Sequence, residues 1–271
     1  MEIYEFGKEL INEAGDFIRK RMLEDFRVDA KLNPNDLVTD VDHETEAFIY
    51  NRILERWPDH RIIGEEGHGT DVEDTCGILW IVDPIDGTLN FVHQLQNFAI
   101  SIGVYIDGEP YAGFILDVMN DNLYHAGAGK GAYKNDARLG RVQDTSLAKS
   151  LVALNSNWVI KEGIGRTFTE VVRDARSTRS YGSAALDFVN TAQGIVSAAL
   201  FFRLHPWDYA AGMIILAETG GITTNLLGEE ISILNRDSVL AGNPGIHEEL
   251  QQYFIHDEEF ITSHRKAHGE K

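Results

Sequence analysis

Thiols are nearly absent from this chain of 271 residues: Cys76 is its one cysteine. No internal disulfide framework can form, which fits a reducing setting and leads us to expect a cytoplasmic protein. Cys76 lies beside Asp71, Glu73 and Asp74, and such acidic surroundings make it a poor candidate for a catalytic nucleophile. Positive charge is scarce too, with 24 Lys and Arg against 43 Asp and Glu and a net charge of −19. That field repels phosphate backbones and anionic lipid surfaces, so neither nucleic acid nor membrane is expected as a partner. No apolar run approaches the roughly 20 residues that span a bilayer. Met1-Glu2-Ile3-Tyr4-Glu5 has neither the basic start nor the apolar core of a signal peptide. The Gly-x-Ser-x-Gly nucleophile elbow is missing. Gly127-Ala128-Gly129-Lys130-Gly131 lacks the Gly-Lys-Ser/Thr ending of a nucleotide loop, and it reads as the turn of a hairpin between Asn122–His125 and Ala132–Lys134. Repeats, low-complexity segments and disordered linkers are absent as well.

What is present suffices for a large core. At 43% hydrophobic residues, the chain can fold as one big domain or as two intimately packed halves, divided here as 1–140 and 141–271. Ile3, Phe6, Leu10, Ala14, Phe17 and Ile18 repeat at the period of an amphipathic helix over residues 3–26. A second helix is expected from Asp42, as its N-cap, to about Arg56. Strand-like runs follow at Arg61–Gly64, Ile78–Val82, Phe98–Ile106 and Tyr111–Leu116. After about residue 145 strands and helices alternate: strand 151–154, helix 164–174, strand 177–181, helix 184–192, strand 195–202, helix 207–219. That texture predicts an α/β second half after an α+β first half. The tail from His256 is read as frayed and solvated, and the spacing of His264 and His268 is not taken as a metal site.

The chemistry concentrates in short acidic phrases. The run Ile78–Val82 delivers Asp83 at its end, then meets Pro84, Ile85, Asp86 and Gly87. Carboxylates at a strand end suit a hard divalent cation, which takes oxygen ligands together with water and substrate phosphate. Pro84 fixes the direction of the chain and biases Asp83 toward extended backbone, leaving the Ile85 carbonyl free to face an ion. A short helix beginning near Thr88 would offer free N–H groups to a phosphate. Gly64-Glu65-Glu66-Gly67, Asp40-Val41-Asp42 and Pro206-Trp207-Asp208 supply further acids in the same order along the chain.

Asp-Pro-Ile-Asp-Gly-Thr, preceded by Gly-Glu-Glu and followed by Trp-Asp, resembles the inositol monophosphatase family of magnesium-dependent, lithium-sensitive phosphatases, over roughly residues 5–255. The resemblance implies an α-β-α-β-α sandwich, a homodimer, and two or three Mg2+ ions. It implies Glu65, Asp83 and the Ile85 carbonyl as ligands of a first ion, and Asp83, Asp86 and Asp208 as ligands of a second. It gives Thr88, hydrogen-bonded to Asp42, the task of positioning and deprotonating the attacking water, with Glu65 assisting. The Gly87 and Thr88 amides would cradle the phosphate, and Gly182-Ser183-Ala184 would meet the organic part of the substrate. One departure bears on specificity: Phe201 stands where the family has an acid, seven residues before Asp208. A phenyl ring accepts no hydrogen bond from a sugar hydroxyl, and a lost buried polar contact costs about 1–3 kcal/mol. Arg203 offers a second phosphate or a carboxylate a partner, or pairs with a surface acid. The expected activity is therefore hydrolysis of a small phosphomonoester, inositol 1-phosphate first. Fructose 1,6-bisphosphate, NADP(H) or an adenosine bisphosphate stands as the alternative substrate, and a non-catalytic binding or regulatory protein as the alternative function.

Other residues receive plainer readings. Glu66 is expected to support the site without ligating, and the family pattern leaves Asp40 outside it. Asp71, Glu73 and Asp74 are expected to be solvated charge, with a loosely held third ion as the alternative. His93 and His205 are general-acid candidates that the mechanism does not require, and His205 is expected to fix the turn presenting Asp208.

Overall fold

The computed structural model describes residues 2–31, 37–67 and 72–269; Asp36, His68, Gly69 and Asp71 lie outside them. Helix α1 (Glu2–Arg21) buries Leu10, Ile11, Ala14 and Ile18 along one stripe. A small hairpin, β1 (Val28–Ala30) with β2 (Leu37–Thr39), leads into α2 (Asp40–Arg56). Both helices cover one face of a seven-stranded sheet ordered β3 (Arg61–Gly64), β4 (Ile78–Asp86), β5 (Ala99–Ile106), β6 (Glu109–Asp117), β7 (Asn122–Gly127), β8 (Gly131–Lys134) and β9 (Ala137–Arg138). Only β3 and β4 pair in parallel. Strand periodicity sorts the side chains: Trp80, Val82, Ile100 and Ile102 face α1 and α2, while Leu79, Ile81 and Ala99 point the other way.

The second half forms a five-stranded sheet ordered β11-β10-β12-β14-β13, from β10 (Leu151–Leu154), β11 (Ser177–Arg179), β12 (Ala198–Leu204), β13 (Ile222–Thr224) and β14 (Asp237–Gly242). The short α3 (Thr88–Gln94) follows β4. Of the second-half helices, α5 (Ala184–Ala192) and α6 (Pro206–Glu218) fill the space between the two sheets. On the far face of the smaller sheet lie α4 (Gly165–Asp174), α7 (Pro244–Ile255) and α8 (Glu258–His268). The layers are thus α-β-α-β-α. Small residues set the spacing at the centre: a Cβ on Gly113 would fall 2.5 Å from the Ala211 carbonyl oxygen, so α6 rests directly on β6.

Three expectations are corrected. Strand β4 does not stop at Pro84 but runs on to Asp86, with a register shift between Asp83 and Asp86 that accommodates the proline. The N-cap of α2 is Thr39; Asp42 is the third helical residue and closes a capping box by accepting from the Thr39 amide at 2.9 Å. The tail is not frayed: α8 buries Phe260 and His264 completely, and Asp257 caps it by accepting from the Glu259 and Phe260 amides. Sequence reading failed there because a helix with few apolar residues shows its packing only when its partners, Phe168, Phe202 and Phe254, are in place.

Candidate active site

Because β4 carries its pairing with β5 as far as Asp83, that side chain is buried, with Ser101 opposite. Its Oδ1 accepts from the Ile85 amide at 3.0 Å, which curls the chain so that Asp86 also turns inward. Gly87 then adopts φ +95°, the left-handed region, and starts α3 at Thr88. A Cβ there would sit 3.1 Å from the Gly182 carbonyl oxygen, so glycine serves both conformation and close approach. Thr88 Oγ1 lies 3.1 Å from the Ile85 carbonyl oxygen and 3.3 Å from Asp42 Oδ1. Burial pushes the Asp42 carboxyl up to about 7 against two opposing hydrogen bonds from Thr39, with the charges of Glu66 and Glu65 adding to the rise.

Asp208 arrives from the second half. It is the third residue of α6, and its Oδ2 accepts from the His205 amide at 2.7 Å. Asp83, Asp86 and Asp208 each bring a carboxylate oxygen within 4.8 Å of the others. Ser183, the N-cap of α5, donates its hydroxyl to Asp86 Oδ2, which also accepts from the Ala185 amide at 2.8 Å. Burial, then the charges of Glu65, Asp86 and Asp208, holds the Asp83 carboxyl far above its ordinary range. Burial, Asp86 and Glu65 do the same to Asp208. Asp86 is pushed up to about 6, because burial and Glu65 outweigh its three bonds from the 183–185 segment. Carboxylates gathered this closely and this deeply repel one another unless a cation sits among them.

Positive charge reaches the cluster from one side. Lys31 Nζ lies 2.8 Å from Glu65 Oε1 and 2.6 Å from Glu66 Oε1. These acids outweigh burial and hold its ammonium charged. Every donor in the cluster is oxygen: the carboxylates of Glu65, Asp83, Asp86 and Asp208 and the Ile85 carbonyl. Such a set fits a hard divalent ion of the Mg2+ kind and disfavours softer metals.

Comparison with known proteins agrees with this geometry. The model of the inositol monophosphatase family matches residues 1–262. An inositol-1-monophosphatase of Bacillus subtilis is 48% identical over 257 residues, 94% of this chain and 97% of that protein. The staphylococcal SaIMPase-II with inositol monophosphate bound superposes with a TM-score of 0.90 at 47% identity, covering 98% of this chain and 99% of the other. The same protein with 2'AMP bound gives 0.92 and 48%, covering 98% and 100%. The chain belongs to the inositol monophosphatase family. It shares that family's fold and its reaction class, hydrolysis of phosphoric monoesters.

In this member of the inositol monophosphatase family the structure brings together Asp42, Glu65, Asp83, Ile85, Asp86, Thr88 and Asp208 from α2, the turn after β3, β4, α3 and α6. The residues tied to the organic part of the substrate are placed differently. Gly182 turns the chain with φ +79°, and Ser183 and the Ala184 amide are directed at Asp86. Phe201 is buried on β12, parallel to Phe188 at 6.4 Å between ring centroids, whereas Arg203 is exposed. His93 is exposed, and the His205 ring stacks on Trp207 at 4.7 Å. Asp74 is not simply solvated, since it pairs with Arg61 at 2.8 Å.

Two acids at the site escaped the sequence reading. Glu46 is buried beneath Gly64, and its Oε2 accepts from the Glu66 amide at 2.7 Å, fixing the turn that carries Glu65. A Cβ on Gly64 would come within 2.4 Å of that oxygen. The signal was available, since Glu46 stands four residues after Asp42, on the same face of α2. Asp187, on α5, is buried with Oδ1 unpartnered, and burial and the charge of Asp86 raise its carboxyl well above the ordinary range. Nothing in its sequence context marked it.

Proposed function

We propose that this protein is a Mg2+-dependent phosphomonoesterase acting on inositol monophosphate, and that the acids at the junction of β4, α3 and α6 are its catalytic centre. The convergence of three aspartates, Asp83 and Asp86 buried and Asp208 half-buried, each held above its ordinary pKa range, carries this reading. Glu65, Asp83 and the Ile85 carbonyl would hold one ion, and Asp83, Asp86 and Asp208 a second, with a third more loosely held. Bound there, Mg2+ lowers the pKa of water and neutralises charge on the phosphoryl oxygens.

The remaining work falls to the chain. The Thr88 hydroxyl, between Asp42 and the Ile85 carbonyl, orients the attacking water. Asp42, raised to about 7, is matched to accept a proton through Thr88 near neutral pH. Glu65, on the turn fixed by Glu46, assists from the opposite side. The Gly87 and Thr88 amides at the start of α3 have no carbonyl partner one turn earlier and are placed to bind phosphate oxygens.

A second substrate class is favoured by two observations: Arg203 is exposed at the end of β12, and a relative at 48% identity holds 2'AMP. A nucleotide 2'-phosphate, as in NADP(H), is that class. Phosphate release is to be measured with Mg2+ and with EDTA on inositol 1-phosphate, fructose 1,6-bisphosphate, NADP+, 2'-AMP and 3'-phosphoadenosine 5'-phosphate. Turnover that requires Mg2+ and is fastest on inositol 1-phosphate is expected. Faster turnover of NADP+ or 2'-AMP would replace the substrate assignment, and equal release in EDTA would sink the metal reading. The resemblance also supports a homodimer, inhibition by Li+ and a cytoplasmic location. Light scattering on the purified chain and activity titrated with LiCl test the first two. Among the described residues no helix is long and apolar enough to cross a membrane.

A further inference from the structure

A second group of ligands lies on the last helix, and its chemistry is unlike that of the carboxylate centre. His264 and His268 stand one turn apart on α8, opposite Asp237, which begins β14. A ligand atom of each lies within 4.8 Å of the other two. His264 is completely buried; its Nε2 is 2.6 Å from Ser238 Oγ and 3.6 Å from Asp237 Oδ1. His268 Nε2 lies 3.0 Å from the Phe202 carbonyl oxygen, which can only accept. That nitrogen therefore carries the ring proton, and Nδ1 of the neutral imidazole presents a lone pair. Both Nδ1 atoms are buried without a hydrogen-bond partner. The rings are 4.5 Å apart and are walled by Phe202 and Phe260. Two unpartnered ring nitrogens in an aromatic pocket are a poor outcome for histidines that merely fill space.

We propose that Asp237, His264 and His268 form a site for a divalent transition-metal ion of the zinc kind, separate from the carboxylate centre. The sequence expectation against a metal site weighed only the spacing of the two histidines and not Asp237, brought to them by the smaller sheet. Two imidazoles and one carboxylate suit borderline ions, whereas the oxygen-only cluster suits Mg2+, so the two sites select different metals. The carbonyl of Phe202 holds the far nitrogen of the His268 ring, which is how metal-binding histidines are oriented. Tetrahedral zinc with bonds of about 2.0–2.1 Å requires ligand atoms roughly 3.3 Å apart, a closure of no more than about 1.5 Å, with water in the fourth position. The ion would tie α8 to the start of β14. Asp237 pairs there with Leu204, the residue before the N-cap of the helix carrying Asp208.

The test uses the untagged chain, stripped with EDTA, mixed with one equivalent of ZnCl2 in excess MgCl2, desalted and assayed for zinc. One zinc per chain is expected in the parent and in Asp83→Asn, with retained zinc lost in His268→Gln and Asp237→Asn. Zinc retained by His268→Gln but lost from Asp83→Asn would assign the ion to the carboxylate centre and overturn the proposal. So would failure of the parent to retain zinc. Should the histidine variant not fold, the Co2+ spectrum of the parent in excess MgCl2 decides. Intense tetrahedral bands support the site, and a weak octahedral spectrum or none refutes it.

Discussion

Asp83 serves two opposed ends. Its negative charge is what a cation needs, yet in the metal-free chain the charge is buried beside Asp86, Asp208 and Glu65 and costs stability. Asp83→Asn keeps an oxygen to accept from the Ile85 amide but removes the charge. In Mg2+ it is expected to lower turnover by roughly 10²–10³, the scale of losing a main electrostatic contact to the reacting group. In EDTA at neutral pH the same change is expected to stabilise the chain by on the order of 1–2 kcal/mol, raising Tm by several degrees. Near-native turnover would refute the assignment of Asp83 as a shared ligand. A lower Tm in EDTA would show that its charge is compensated within the chain.

Elements place these residues. The passage from β4 into α3 depends on Gly87, where φ is +95° and the Gly182 backbone lies against the missing side chain. Gly87→Ala is expected to cost about 1–3 kcal/mol in urea unfolding, from left-handed backbone and a close contact together. A cost near zero would mean that the two segments separate freely. Asn90, on α3, reinforces the junction by donating to the carbonyls of Asn97 and Tyr181 at 2.8 and 2.7 Å. At the other end of the molecule, α8 is held by Phe260, which is fully buried against Phe202 and Phe254. Phe260→Ala is expected to destabilise by about 3–5 kcal/mol, as large-to-small changes in packed cores do. A loss under 1 kcal/mol would restore the reading of this segment as a loose tail.

For the whole molecule, charge and pH decide how the metal is felt. The chain carries −19 at neutral pH, a field that opposes anionic substrates, so phosphate binding has to rest on local ions and amides. In the metal-free protein Asp86 near 6 and Asp42 near 7 bind protons in the folded state before their unfolded counterparts near 3.8 do, so these groups favour folding as pH falls. His264 acts in the opposite sense: folded near 4 and unfolded near 6.5, it costs stability as pH drops through that window, by ~3 kcal/mol. The raised carboxylates, Asp83 and Asp208 among them, outweigh the one histidine, so the metal-free chain is expected to gain stability as pH falls from 7 toward 4. Mg2+ needs the ionised carboxylates, so the rise in Tm on adding Mg2+ should be large at pH 8 and shrink as pH falls through about 7 to 6. Thermal unfolding with Mg2+ and with EDTA at each pH measures it, and an equal rise at pH 8 and pH 5 would contradict the linkage.

Local pattern alone settled what depends on neighbours in sequence. The alternation of apolar residues in β3 to β6, the turn chemistry at Gly87 and the acids at the end of β4 are properties of short segments. They announced the helices and strands and the carboxylates at the end of β4, while the layered sandwich and the roles of the other acids were what the resemblance to the inositol monophosphatase family implied. The sequence could not tell which segments would meet. Glu46 became part of the site because Gly64 left room above it, Ser183 because α5 starts against Asp86, and Phe201 turned into the core because β12 pairs with β14 across a face set by α5 and α6. The Asp237–His264–His268 cluster spans β14 and α8, elements whose apolar content was too slight to show. Such contacts join residues far apart in the chain, and their free energy comes from desolvation that exists only once both sheets have closed around the middle helices.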